Sequence, residues 1–188
     1  MNRLTYRFAL LIAAAASISA CSGGGSASAA PSATPGVTAP PAPTVTPLGT
    51  LPPEPNRTAN NATLAGIDTT GTGVRDDVHR LIFNTYTSTV KRKIGMAIAK
   101  GTRLIYSTPP QTTAEARAVR NVGNLAYDCM WSRRDINFDE KAKYSSSLEA
   151  AHADTGDRMK AYRNYNRLLH GEGFNSNWNE HSCDEVLK

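Results

Sequence analysis

Val78, Ile82, Tyr86, Val90, Ile94 and Ile98 recur at every fourth position. Each such step advances a helix by about 400°, so the stripe drifts about 40° per step and ends some 200° from its start. A straight helix with this pattern would turn opposite faces to the core at its two ends. The pattern therefore predicts one long helix over about 74–106 that meets different partners along its length or breaks near Gly95 or Gly101. Pro109-Pro110 stops it. Thr112 then stands three residues before Glu115, the spacing of a capping box, and predicts a second helix. Its inward stripe is read as Ala116, Val119, Val122, Ala126 and Cys129, with Arg117, Arg120, Asn121, Asn124 and Asp128 toward solvent. A third helix is expected from about Asp139 to His152 with Tyr144 and Leu148 inward. Asp154-Thr155-Gly156 predicts a break and a fresh cap. A fourth helix to Leu169 would then bury Met159, Tyr162, Tyr165 or Asn166, and Leu169, and Gly171 suits the position just past its end. No stretch shows the period-two alternation of a strand. The expected class is all-α, a small helical bundle of 3–4 helices.

The N-terminal third follows a different pattern. Arg3 and Arg7 precede an apolar run from Phe8 to Ile18, and Ile18-Ser19-Ala20-Cys21 places small residues directly before a cysteine. The run is shorter than the ~20 residues a membrane-spanning helix needs but has the length of a signal peptide core. The segment resembles the lipobox of bacterial lipoproteins, with Ile18 where Leu is usual. The resemblance implies that Cys21 receives a diacylglycerol thioether, that cleavage precedes it, and that its new amino group is acylated. Three acyl chains would hold the protein stably on a membrane. Ser22 after the cysteine resembles the outer-membrane signal of Gram-negative lipoproteins.

From Ser22 to Asn56 the chain is rich in Gly, Ser, Ala, Thr and Pro, and Glu54 is its one charge. Such a composition buries too little surface to offset its ordering entropy, so a disordered linker with polyproline character is expected. Fully stretched it reaches roughly 115 Å, and as a coil about 30 Å. The organisation read from the sequence is thus residues 1–20 signal peptide, 21–63 lipidated cysteine and linker, and 64–188 helical domain. Roughly 130 residues from Arg57 onward suffice for one core.

The formal net charge of +5 falls to +3 once Arg3 and Arg7 leave with the leader. Lys91-Arg92-Lys93 and Arg133-Arg134 are the basic clusters, and acids sit among the rest. A nucleic-acid reader concentrates positive charge on one face. The chain is therefore not read as a nucleic-acid binder, and weak attraction to anionic lipid or glycan is the alternative to a plain solvated surface.

With Cys21 assigned to lipid, Cys129 and Cys183 remain as an even pair. Outside the cytoplasm such a pair most often forms a disulfide, which here would close a 54-residue separation. It would staple the tail, with Phe174, Trp178 and Val186-Leu187, onto the second helix, and the chain-entropy contribution is roughly 4 kcal/mol. The rival grouping of His170, His181 and Cys183 as metal ligands lacks regular zinc spacing.

The segment from Gly66 to Val78 (GIDTTGTGVRDDV) is the most suggestive stretch. It resembles the Asp-rich calcium loops of EF-hand, dockerin and thrombospondin type 3 repeats. More closely it resembles a GID-x-x-G-x-G-x-RDD-V segment that precedes helices in uncharacterised exported bacterial proteins. The first resemblance implies a calcium ion held by Asp68, Thr70, Thr72 and Asp76, with Gly73 at the turn. His79 stands where the loop's bidentate Glu belongs. The other reading is purely structural. Gly71 and Gly73 permit a tight turn, Asp76 and Asp77 complement a helix dipole, and Arg75 pairs with Asp68.

Three functions follow as expectations. The first is a membrane-tethered, non-enzymatic module that binds an envelope protein or glycan, or serves structure. It would show an apolar or aromatic patch, with Trp131, Trp178 and Tyr106 as candidates if they are not core. The second is a calcium-binding module built on the Asp68–Asp77 loop. The third is a hydrolase, which would need His79, His152, His170 or His181 beside a Ser or carboxylate. The chain carries no nucleophile elbow, paired metal-binding His motif or phosphate-cradling Gly loop.

Overall fold

A computed structural model describes residues 44–46, 49–173 and 182–188. Among them the protein is all-α, with seven helices where 3–4 were expected. These are α1 (Arg57–Asn61), α2 (Asp76–Thr85), α3 (Thr89–Ser107), α4 (Thr113–Ser132), α5 (Phe138–His152), α6 (Gly156–Leu168) and α7 (Ser182–Val186). A short antiparallel ribbon, β1 (Thr44–Thr46) with β2 (Gly49–Leu51), precedes them. The folded body also starts earlier than residue 64. Asn56 caps α1 by accepting from the Ala59 amide at 3.0 Å, Asn60 is buried, and Leu51 packs on the core.

The drifting stripe is resolved by a break, but not at a glycine. The single helix expected over 74–106 divides at Tyr86–Ser88, where α2 ends and Ser88 caps α3. Arg92 explains the stop. Its guanidinium donates to the Tyr86 carbonyl and, at 2.9 Å, to that of Phe83, taking up acceptors that a continuing helix would need. The break resets the helical phase, so Val78 and Ile82 on α2 and Ile94 and Ile98 on α3 all reach one core.

Gly95 and Gly101 are close-approach positions within a continuous helix. A Cβ on Gly95 would lie 1.9 Å from the Tyr144 hydroxyl, which donates to the Lys91 carbonyl at 2.7 Å. A Cβ on Gly101 would lie 2.8 Å from the Cα of Gly123, so α3 and α4 cross backbone to backbone there.

The remaining caps form where the sequence places them. Thr112 and Glu115 complete a capping box on α4, Asn137 caps α5 and Thr155 caps α6. Gly171 adopts φ 80° just past α6. Ala126, Cys129 and Met130 of α4 join Ile136, Tyr144 and Leu148 in the core, each large aliphatic contributing about 1.5–3 kcal/mol by burial. The disulfide Cys129–Cys183, with Cα atoms 4.6 Å apart, fastens α7 to α4. Val186 and Leu187 pack against the core, while Phe174 and Trp178 lie outside the described residues.

Two helices depart from their expected faces. On α4, Val122 is 57% exposed and Asp128 is buried. The inward position between Val119 and Ala126 belongs to Gly123 instead. On α6, the buried residue is Arg158, whereas Met159, Tyr162, Tyr165 and Leu169 are only half-buried and Asn166 is exposed. The face expected to enter the core is half open, because what it faces is a cleft.

Candidate functional site

Two regions concentrate chemistry-bearing side chains. The first is the loop from Gly66 to Val78, and it is closed upon itself. Asp68 accepts from the amides of Thr72 at 3.1 Å and Gly73 at 2.9 Å, and pairs with Arg103 at 2.6 Å. Asp76 accepts from the Thr69 amide at 3.0 Å and hydroxyl at 2.9 Å. Thr70 and Thr72 hydroxyls lie 3.4 Å from one another. Burial pushes the Asp76 carboxyl up, and the Thr69 hydrogen bonds oppose it. A calcium ion needs six to eight oxygens, but here both carboxylates face N–H and O–H donors, and Asp68 faces a guanidinium. Among the described residues no group of three His, Cys, Asp or Glu is placed to hold a metal ion. The expected set Asp68, Thr70, Thr72 and Asp76 is thus in place but already paired with the loop's own donors and Arg103.

Arg75 does not brace Asp68. It reaches away, pairing with Asp77 and Asp154, at 2.5 and 3.2 Å, and donating to the Ala151 carbonyl at 2.5 Å. Arg158, fully buried, donates to five acceptors: the carbonyls of Asn60, Thr63 and Leu64, the Asn61 amide oxygen, and Asp154. Asp154 bridges both arginines. Gly66 adopts φ 64°, and a Cβ there would sit 2.3 Å from Arg75 Cδ. The loop and its flanks are therefore a hydrogen-bonded staple between the N-terminal segment and the α5–α6 junction.

Three of the four histidines lie among the described residues. His79 and His152 are buried. Neither nitrogen of His79 has a hydrogen-bond partner, nor has His152 Nε2. Burial lowers the pKa of both, His152 to about 3 with Arg75 contributing. His170 is exposed on the turn after α6, and His181 lies outside the described residues. Cys183 is in the disulfide, which removes it from the metal grouping with His170 and His181. The expected basic cluster is internally engaged as well: Lys91 pairs with Glu140, Arg92 caps α2, and Lys93 donates to the Leu187 carbonyl at 2.6 Å.

The second region is a cleft of about 600 Å³ between α3, α4 and α6, with Glu149 of α5 at one side. Its size is that of a small-molecule site, typically 300–1,000 Å³. Its origin is the α3–α4 crossing. Gly101 needs to be small, since Gly123 abuts it. A Cβ on Gly123, in contrast, would meet nothing within 4 Å. Glycine inside a helix costs about 0.5–1 kcal/mol against alanine, and no packing contact demands it at 123. The vacancy in the α4 stripe opens onto the cleft.

Aromatic residues supply much of the wall: Tyr106 from α3, Tyr127 and Trp131 from α4, Tyr162 and Tyr165 from α6. Tyr162 and Tyr165, one turn apart, set their rings 6.4 Å apart at an interplanar angle of 29°. Trp131 is 43% exposed, while Tyr106 is buried with its hydroxyl unpartnered. Burial raises the pKa of Tyr106 and Tyr127 to about 12 each, and burial with the neighbouring Glu149 carboxylate raises that of Tyr162. These phenols stay protonated and can donate. Arg120, the cation lining the cleft, donates to the Gly173 carbonyl at 3.3 Å, and its buried Nε is unpartnered. Asn124, Asn166, Asp128 and Glu149 complete the polar lining.

Of this cleft, sequence reasoning named only Trp131 and Tyr106 as candidate binding residues. The signal that could have found the rest was Gly123, the position at which the α4 stripe lacks a side chain. Compared with known protein families, curated proteins and solved structures, the chain matches none.

Proposed function

We propose that this chain is a lipid-anchored envelope protein, tethered through Cys21 and probing its surroundings with a non-enzymatic binding module whose ligand site is the α3–α4–α6 cleft. The observation that carries the reading is Gly123. It leaves an aromatic-walled cavity of ligand size at a position where alanine would fit and favour the helix. The lipobox supports the anchor, and the Pro-rich stretch after it supports a module held away from the bilayer, in the outer membrane by the Ser22 signal. The Cys129–Cys183 disulfide is the bond expected of a protein outside the cytoplasm. Among the described residues no helix is long and apolar enough to cross a membrane.

Two measurements test this. Cys21→Ser should move the protein from the membrane pellet to the soluble fraction of expressing cells; retention in the pellet would remove the anchor. Ligand-observed NMR with a library of small amphipathic fragments should return binders whose signals vanish with Gly123→Leu, and an absence of any such binder would remove the module.

A further inference from the structure

We infer that the cleft takes a neutral pyranose saccharide, a short stretch of one or two sugar rings, stacked on Tyr162 and Tyr165. The inference rests on the binding-module reading above and names its ligand. Three features of the lining select this chemistry. The first is the ring pair. Two tyrosine rings, 6.4 Å apart and 29° from parallel, belong to the cleft lining, and an aromatic ring face complements the C–H face of a pyranose. A cage for a cation would instead turn its ring faces toward one point within about 6 Å. The cleft, at about 600 Å³, is wide and open by comparison.

The second feature is the polar rim. Asn124, Asn166 and Glu149 present planar groups with several hydrogen-bonding sites each; Tyr162 hydrogen-bonds Glu149 and Asn166, and Tyr127 hydrogen-bonds Thr102, which fixes these groups and leaves their remaining sites for a ligand. Vicinal hydroxyls, each both donor and acceptor, match such a set. Two polar atoms of lining residues have no hydrogen-bond partner within the protein, the Tyr106 hydroxyl and Arg120 Nε, and both are buried. The third feature is charge. The lining holds two acids, Asp128 and Glu149, and one arginine, Arg120, whose guanidinium donates to the Gly173 carbonyl. An anion would meet two carboxylates, so phosphate- and carboxylate-bearing ligands are disfavoured.

The test uses the full-length protein in detergent, titrated with neutral oligomers of N-acetylglucosamine, glucose and galactose, while Trp and Tyr fluorescence and calorimetric heat are followed. At least one series should bind saturably. Gly123→Leu, which projects into the cleft, and Tyr165→Ala, which removes one of the two rings, should each weaken binding at least tenfold. Helix content and the disulfide should remain as in the parent. Should Gly123→Leu fail to fold, Asn166→Ala on the exposed rim serves in its place, with the same expected direction. Saccharide binding that survives these substitutions overturns the inference, because the site would lie elsewhere. Binding of tetramethylammonium or 4-nitrophenol, sensitive to Gly123→Leu, without saccharide binding overturns the ligand class and leaves the binding module standing. Silence from every probe overturns both.

Discussion

The Gly66–Val78 loop and the α3–α4–α6 cleft draw on similar residue types, acids, an arginine, hydroxyls and glycines, and put them to opposite use. In the loop each charged group has a partner within the fold: Asp68 has Arg103, Asp76 has Thr69, Arg75 has Asp77 and Asp154. Its glycines serve backbone geometry, Gly66, Gly71 and Gly73 all having φ between 64° and 79°. In the cleft, Tyr106 and Arg120 keep unpartnered polar atoms and Gly123 has no conformational or steric reason to be glycine. A conspicuous motif whose groups satisfy one another is structural. An inconspicuous helix that leaves groups unsatisfied around a cavity is a candidate for binding.

The sharpest way to break this contrast is to remove the staple. Arg158→Ala takes the donor from three carbonyls, those of Asn60, Thr63 and Leu64, and leaves Asp154 with Arg75 alone. A loss of about 3–5 kcal/mol is expected by chemical denaturation; a change under about 1 kcal/mol would mean the segment before α2 is not held by this hub.

Acid probes the boundary between the regions, because His152 stacks on Tyr106 of the cleft, ring centroids 5.9 Å apart, while its carbonyl accepts from Arg75 of the staple. Burial lowers its pKa to about 3 from 6.5. The unfolded chain then binds the proton first, so its contribution is full above about pH 6.5 and is lost as pH falls toward 3. From this residue alone about 3 kcal/mol should disappear by pH 4. Burial of His79 acts in the same direction, and the raised Asp76 carboxyl opposes. His152→Gln should flatten the pH profile of melting; an unchanged profile would contradict the assignment.

Next in size is the glycine pair. Gly101→Ala forces a Cβ to 2.8 Å from Gly123 and should cost about 1–3 kcal/mol. Gly123→Ala has open space and should stabilise by about 0.5–1 kcal/mol. Equal effects at the two positions would erase the asymmetry on which the cleft argument stands. Smallest of all, millimolar calcium should leave the melting temperature unchanged, since the carboxylates of Asp68 and Asp76 already accept internal hydrogen bonds. A rise of several degrees would show that the loop releases Arg103 and binds the ion.

What the sequence determined by itself was local. Helix caps at Thr112 and Thr155, the stop at Pro109-Pro110, the glycine turns of the loop and the Cys129–Cys183 pair depend on neighbours in the chain or on residue chemistry, and these are where the structure has them. The α2–α3 break was less legible, because it depends on the Arg92 side chain folding back onto the Phe83 and Tyr86 carbonyls. Tertiary structure alone decided that Gly95 seats Tyr144, that Gly101 seats α4, and that Arg158 goes inside to meet backbone carbonyls from residues 60–64. It also decided that Gly123, not the apolar Val122, occupies the inward turn of α4. A periodicity argument weighs the side chains that are present. The cleft has its opening on α4 where a side chain is absent, and only the positions of α3 and α6 around that gap enclose it.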